Sequence, residues 1–399
     1  MVANKFYILI LFAFLSFQIT AQGEASKWYF GNYAGLDFSS GTPVALNNIP
    51  MTGVNLNSEE GCTTISNSAG ELLFYTNGKI VWNKNHGIME NGTNLGGDQS
   101  STQSAIIIPS PQASDIYYVF TVDEHNTNRQ GLSYSVVDMT LNNGLGAVTS
   151  RNTNLLRHCA EKITAVRSNN CNEFWVIAYG NETGSINYNY NSFFAFKINE
   201  NGVDPNYIRS TFGDTTGLSD GRGYLKVNAE GDKIAIAHQG RGANGTFLYD
   251  FNFTTGEVSN SRPLFPVDDF TGNSYFVEPY GIEFSLSGRF LYVTSSFSDN
   301  PRSSVLFQYD LDNDNAARHI STDETFRGAL QMAPNGKIYR SLSINYDLGS
   351  KYLGVIHNPE SLGVACNYQH NAIDIDPNNE GRKSRQGLPP FVQSMFLGV

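Results

Sequence analysis

One hairpin is written again and again along this chain. GYLKVNAEGDKIAIA from Gly223 is a short alternating run, a polar turn and a second alternating run, and GIEFSLSGRFLYV from Gly281 and GALQMAPNGKIYR from Gly328 repeat it. Three looser copies precede them: TTISNSAGELLFYTN from Thr63, SAIIIPSPQASDIYYVFT from Ser104 and KITAVRSNNCNEFWVIAYG from Lys162. Period-two alternation around turns rich in Asn, Ser, Gly and Asp is the signature of a two-stranded hairpin. A chain that repeats one supersecondary unit folds as an array of that unit, because each copy buries its apolar face against the next.

A third strand follows every hairpin: KIVWN from Lys79, GLSYSVVDM from Gly131, SFFAFKI from Ser192, GTFLYDF from Gly245, SVLFQYDL from Ser304 and YLGVIHNP from Tyr352. Several continue into a weaker fourth, as in TTGEVSNS from Thr254. Four-stranded antiparallel units at this spacing are how propeller blades look in sequence, and the anchors Gly61 and Gly387 stand six periods of about 54 residues apart. At the N-terminal end WYFGN, AGLDFSSG and TPVAL read as second, third and fourth strands, and GLPPFVQS (Gly387 to Ser394) reads as the first strand they lack. The expectation is an all-β, seven-bladed β-propeller of four-stranded antiparallel blades, spanning 22–399 as a single unit and closed by pairing of the N- and C-terminal strands, which removes open sheet edges.

The first 21 residues read differently. Lys5 precedes an apolar run from Phe6 to Phe17 and a small-residue site ending at Ala21, the layout of a secretory signal peptide over 1–21. That run is too short to span a bilayer comfortably, and no later segment reaches its length. An extracytoplasmic protein of the periplasm, cell surface or exterior is expected.

A net charge of −11, with no basic run or aromatic-basic stripe, offers no source for the phosphate attraction on which nucleic-acid binding rests. It argues equally against electrostatic attachment to a membrane surface. The four cysteines, Cys62, Cys159, Cys171 and Cys366, form neither a CxxC pair nor a zinc pattern. With Cys159 and Cys171 at opposite ends of a first strand, roughly 20 Å apart at ~3.3 Å per residue, and the other two in different blades, no disulfide is expected among them.

The loops add information that the strands do not. NSAGELLFYTNGKIVWNKNHGIMENGTNLGG, SSTQSAIIIPSP, GLSYSVVDMTLNNGLGAV, AEKITAV, GYLKV, YGIEFSLSG, ALQMAPNGKIY and GLPPFVQS together resemble the propeller domain of secreted Bacteroidetes proteins associated with gliding motility and type IX secretion. The resemblance implies an extracytoplasmic WD-repeat-like propeller; a protein or glycan partner at the cell envelope is the expectation drawn for it. It also implies further domains and a C-terminal sorting signal, which the sequence to Val399 does not display, so a stand-alone exported form and a fragment are both open. It transfers no catalytic residues.

The residue before each inner-strand anchor is polar or hydrogen-bonding: Glu60, Gln103, Glu161, Arg222, Tyr280, Arg327 and Gln386. In a propeller these positions converge on one mouth of the central channel. Two roles are open to them: a ligand site, since convergent polar groups in a concavity are where small molecules bind, or a plug in which carboxylates and guanidinium groups pair with one another. Glu278, Arg385 and His158 join the mouth under a small shift of register. A hydrolase or lyase of lactonase type would draw on Glu60, Glu161, Glu278 and His238, but no nucleophile elbow, HExxH or Ser/His/Asp spacing accompanies them. The leading expectation is a binding propeller without catalysis.

Three further features have a functional and a structural reading. Asp310, Asp312 and Asp314 alternate like the start of a calcium loop, but Asn315 stands where that loop needs glycine and Ser321 where it needs glutamate. A polar turn after a third strand is the favoured reading, with weak calcium binding the lesser one. Trp28, Trp82 and Trp175 lie in alternating strand patterns, which places them between blades rather than against sugars. In SINYNYNSF, from Ser185 to Phe193, Tyr188 and Tyr190 share a strand face and are candidates for a glycan or protein contact.

Overall fold

The computed structural model describes residues 23–51, 56–124, 130–168, 172–181, 190–216, 221–239, 245–264, 278–299 and 302–397. The expected signal peptide, Cys171 and Tyr188 lie outside the described residues. Among them there are only strands and short 3-10 turns, and no helix is long and apolar enough to cross a membrane.

The strands fall into consecutive antiparallel groups. The first is three-stranded, β1 (Lys27–Phe30), β2 (Ala34–Asp37) and β3 (Val44–Ala45). Next come β4 (Thr63–Ser66), β5 (Leu72–Thr76), β6 (Ile80–Asn83) and β7 (Ile88–Thr93), then β8 (Ala105–Pro109), β9 (Ile116–Val122), β10 (Leu132–Asp138) and β11 (Ala147–Leu156). These eight form one sheet, because the outermost strands β7 and β11 meet in parallel at Glu90 and Ala147. Four four-stranded sheets follow. They are β12 (Cys159–Arg167), β13 (Phe174–Gly180), β14 (Tyr190–Asn199) and β15 (Gly202–Thr216); β16 (Leu225–Val227), β17 (Lys233–His238), β18 (Gly245–Asn252) and β19 (Glu257–Leu264). The last two are β20 (Glu278–Phe284), β21 (Phe290–Asp299), β22 (Arg302–Asp310) and β23 (Ala316–Asp323), and β24 (Leu330–Met332), β25 (Ile338–Ser343), β26 (Gly349–Ile356) and β27 (Tyr368–Asp374).

Each hairpin read from the sequence is present, and its first strand is the inner one. β4 touches β8, β8 touches β12, β12 touches β16, β16 touches β20 and β20 touches β24. The core is distributed between neighbouring groups rather than gathered at one centre. Ile177 and Phe193 pack on Ile234 and Tyr249, and Tyr292 and Leu306 pack on Leu330 and Ile338. The last sheet packs against the first: Tyr339 meets Trp28 at 5.6 Å and Phe38 at 5.2 Å between ring centroids, both edge-on. Alternating side chains on both faces of each sheet make this ring of stacked sheets the stable outcome.

Closure differs from the expectation. GLPPFVQS forms no strand, so the group headed by β1 has three strands and its ladder ends at β1. Pro389 and Pro390 are consecutive and have no N–H to offer, so a ladder here would lose two neighbouring donors. The segment instead runs through the middle of the ring. The Thr63 hydroxyl donates to Pro390 O at 3.0 Å, the Gln393 amide donates to Glu283 at 2.7 Å, and Arg167 N donates to Ser394 Oγ at 3.1 Å. Phe391 lies 6.0 Å from the Trp28 ring. Pairing of the two ends is confined to one antiparallel bridge, with Asn32 N donating to Lys383 O at 2.8 Å and Lys383 N to Asn32 O at 3.0 Å; beyond it, side-chain packing and contacts to several inner strands take over.

Candidate functional site

The polar residues at the mouth are delivered by the starts of the inner strands. Glu60, Gln103, Arg222 and Arg327 stand just before β4, β8, β16 and β24. Glu161 and Tyr280 lie inside β12 and β20, each at an irregularity where the ladder skips between Cys159 and Ile163 and between Pro279 and Ile282. A bulge turns a side chain out of alternation, and here it turns both toward the mouth. Glycine makes the crowding possible: a Cβ on Gly387 would stand 1.4 Å from Glu60 O, and one on Gly328 2.0 Å from Ser341 O.

Five of the seven positions form one connected group. Arg327 donates through Nη2 to Glu60 Oε1 at 3.2 Å and through Nε to Gln386 Oε1 at 2.7 Å, and its guanidinium stacks 4.7 Å from the Tyr280 ring centroid. Thr102, which sequence reasoning missed, ties in Glu161. Its hydroxyl lies 3.3 Å from Glu60 Oε2 and 3.0 Å from Glu161 Oε2, while its backbone N–H donates to Glu161 Oε2 at 3.1 Å. Gly223 N also donates to the Thr102 hydroxyl, at 3.3 Å.

A hydroxyl has one proton. With Gly223 N–H donating to it and its own hydrogen given to one carboxylate, the remaining carboxyl contact is satisfied only if that carboxyl brings a proton of its own. Glu60 is the group whose environment provides one: burial pushes its pKa up to about 7, Arg327 opposes that, and the neighbouring Glu161 charge adds to it. Tyr280 and Arg222 pull it down by smaller amounts. The Tyr280 hydroxyl lies close enough to exert that pull but has no partner at hydrogen-bonding geometry. Burial raises the pKa of Tyr280 itself well above the ordinary phenol value.

Gln103 faces elsewhere. Its amide donates to Leu225 O at 3.1 Å and accepts from Leu225 N at 2.7 Å, so it extends the edge of β16 as a backbone strand would. Arg222 is half-buried, and its backbone carbonyl accepts from Lys162 Nζ at 2.7 Å. Of the residues placed next to the mouth, Glu278 accepts from Gln239 Nε2 at 3.3 Å and Arg385 donates to Tyr346 O at 2.7 Å. His158 stands half-buried immediately before β12. His238 is buried beside Lys162, with 3.4 Å between Nδ1 and Nζ.

Deeper in the ring lies a second polar layer. Lys226 and Glu283, both fully buried, pair at 2.9 Å, and Lys226 also donates to Gln331. Glu283 further accepts from Met332 N at 2.9 Å and from Gln393 at 2.7 Å. Burial lowers the Lys226 pKa while Glu283 resists the change. The signal for this layer was available: Lys226, Glu283 and Gln331 each interrupt an otherwise apolar inner strand.

The remaining expectations resolve simply. Arg289 grips Asp310 with Nε at 3.1 Å and Nη2 at 3.0 Å, so the first carboxylate of the calcium-like run is held by a guanidinium. Among the described residues no group of three or more His, Cys, Asp and Glu is placed to hold a metal ion. Trp28, Trp82 and Trp175 are all buried between sheets. Tyr190 is buried too, its hydroxyl donating to Cys159 O at 3.2 Å, and is not part of an exposed contact. Cys62, Cys159 and Cys366 are buried free thiols.

The chain is thus all-β and propeller-like. No family model and no curated protein matches it. Among solved structures it is similar to a protein from Lactobacillus plantarum, with 13% identity, 91% of this chain and 98% of that one covered, and a TM-score of 0.51. It is also similar to the β-propeller domain of Cps50 (Swd1) from Myceliophteria thermophila, with 10% identity over 80% and 94% of the two chains and a TM-score of 0.44. An oligogalacturonate lyase in complex with manganese matches with 12% identity over 75% and 70%, at a TM-score of 0.39. At 13% identity the likeness to the Lactobacillus plantarum protein is one of fold.

Proposed function

We propose that this is an exported, non-catalytic interaction propeller of the cell envelope or cell exterior, linked to gliding motility or type IX secretion, that contacts a protein or glycan partner. In this reading the eight-stranded sheet is two blades joined at their outer edges, and the three-stranded group with segment 387–392 is a seventh. The observation that carries it is how the mouth residues are used. Arg327, Glu60, Gln386, Glu161 and Thr102 bond to one another, and the segment from Gln386 to Ser394 crosses the ring beneath them. A channel filled in this way leaves partner recognition to the outer surfaces. The loop resemblance supports the envelope setting, and the apolar run after Lys5 supports export.

One observation favours a second reading. Glu60 and Glu161 share the Thr102 hydroxyl, and Glu60 holds a proton to about neutral pH beside the second carboxyl, the kind of poised acid that acid/base hydrolysis or elimination uses. The two readings separate in one experiment. Labelled protein lacking residues 1–21 is bound to washed cells of the source bacterium and offered lactones and oligouronides, alongside Glu60→Gln and Glu161→Gln. The interaction reading expects saturable cell binding retained in both variants and no turnover. Turnover in the parent that either variant abolishes would establish the enzyme reading instead.

A further inference from the structure

Three side chains of the deeper layer, Lys226, Glu283 and Gln331, are placed to react with one another. Lys226 Nζ lies 2.9 Å from Glu283 Oε2 and 2.5 Å from Gln331 Oε1, and the three come from the inner strands β16, β20 and β24. Each residue is at most 1% exposed. A carbonyl bond of about 1.23 Å then puts Nζ within roughly 3.7 Å of the Gln331 amide carbon, against the ~3–3.5 Å of a near-attack pair. The last torsion of a glutamine side chain is soft, so the face of that carbon can turn to the amine while the strand stays in place.

An amine attacks a carbonyl only in its neutral form. Burial lowers the pKa of Lys226 against the opposing pull of Glu283, and Glu283 is in contact to take the proton. The carboxylate does not depend on the lysine for its hydrogen bonds. It also accepts from Phe284 N at 3.1 Å, Met332 N at 2.9 Å and Gln393 Nε2 at 2.7 Å. A buried ion pair adds little stability by itself, whereas these three donors keep Glu283 satisfied once the lysine charge is gone. Gln331 Nε2, the atom that leaves, donates to Met332 O at 3.0 Å, and a small pocket lined by Glu283, Met332 and Gln393 adjoins it.

We propose that Lys226 and Gln331 join in an intramolecular isopeptide bond, with Glu283 carrying the protons. Nζ bonds to Cδ of Gln331 as the Cδ–Nε2 bond breaks. Two of the three ammonium protons of Lys226 pass by way of Glu283 to Nε2, which departs as ammonium, and Glu283 ends ionised as it began. Neither oxidant nor cofactor takes part. The bond ties β16 to β24 across 105 residues of chain, a covalent clasp that the free thiols Cys62, Cys159 and Cys366 do not provide. It stands independently of the partner-binding reading, since the outer surfaces are the same with or without it.

The test is peptide mass mapping of the mature chain, unfolded and digested with trypsin. A joined Lys226 resists cleavage, so peptide 223–233 (GYLKVNAEGDK) is expected attached to 328–337 (GALQMAPNGK), lighter than the two together by about 17 Da, one ammonia. An unjoined chain yields free peptides 223–226 and 328–337 instead, and their dominance in the parent digest would overturn the proposal. The parent digest is decisive whether or not a variant folds. Glu283→Gln keeps the shape of the side chain and removes the proton carrier, which is expected to slow joining by about 100-fold and leave the free peptides dominant in its folded fraction. An undiminished yield of the joined species in that variant would overturn the role given to Glu283.

Discussion

The Arg327 guanidinium and the Glu60 carboxyl meet at 3.2 Å although 267 residues separate them, with side chains only 3% and 1% exposed. Above about pH 7, where Glu60 is ionised, removing Arg327 leaves that carboxylate buried without compensation. Arg327→Met is therefore expected to destabilise the fold by about 3–5 kcal/mol. Adding Glu60→Gln should recover a substantial part of that loss, as urea unfolding of the two single variants and the double variant will show. A double variant as unstable as the sum of the singles would mean that the two groups do not interact.

The raised pKa of Glu60 has a definite consequence for stability. The folded state holds its proton to about pH 7, whereas the unfolded chain releases it near the ordinary glutamate value of 4.5. The contribution is therefore complete below about pH 4.5, shrinks between 4.5 and 7 with a slope of about 1.4 kcal/mol per pH unit, and is gone above that. Comparison of unfolding free energies across this window should show the decline in the parent and a shallower one in Glu60→Gln, which cannot titrate.

Gln103 substitutes for a strand partner by bonding both the N–H and the carbonyl of Leu225. Gln103→Ala removes that partner without altering backbone or charge, leaving two buried backbone groups unmade. A loss of about 3 kcal/mol is expected from denaturant unfolding. A change below about 0.5 kcal/mol, the range of ordinary surface substitutions, would show that Leu225 finds other partners.

Gly387→Ala probes how closely the segment after Gln386 is seated. The new Cβ would stand 1.4 Å from the Glu60 carbonyl oxygen, which belongs to the backbone and cannot swing away. The segment must lift, taking Gln386 from Arg327 and exposing Phe391. A drop of several kcal/mol in stability is expected, with increased proteolysis after residue 386.

Much of the architecture could be read from the sequence because its determinants are local. Alternation around NAEGD, SLSG and APNG specifies hairpins that the structure contains as β16–β17, β20–β21 and β24–β25, and the third strands follow from the same pattern. The mouth residues were found because an inner strand starts in the same way each time. What could not be read depends on contacts made at a distance. The outer-edge join of β7 and β11 is secured by Arg151 donating to Thr93 O at 2.7 Å and Asn152 donating to Asn94 O at 2.8 Å. The partners of Lys226 come from β20 and β24, and the Arg289 grip on Asp310 reaches across a hairpin. The path of GLPPFVQS is not legible in the sequence because its alternation resembles a strand, whereas two consecutive prolines weaken a ladder and the segment is held by distant contacts to Thr63, Glu283 and Arg167.

Hydrogen exchange of the segment from Gln386 to Met395 tests the filled ring most directly. Gln386 N donates to Glu59 O at 3.0 Å, and Met395 N donates to Val392 O at 2.9 Å. Both lie among buried side chains. The account predicts that these amides exchange as slowly as those of β12 and β20, through global unfolding only. Exchange at the rate of an exposed chain, with β12 and β20 still protected, would show an open channel and contradict it.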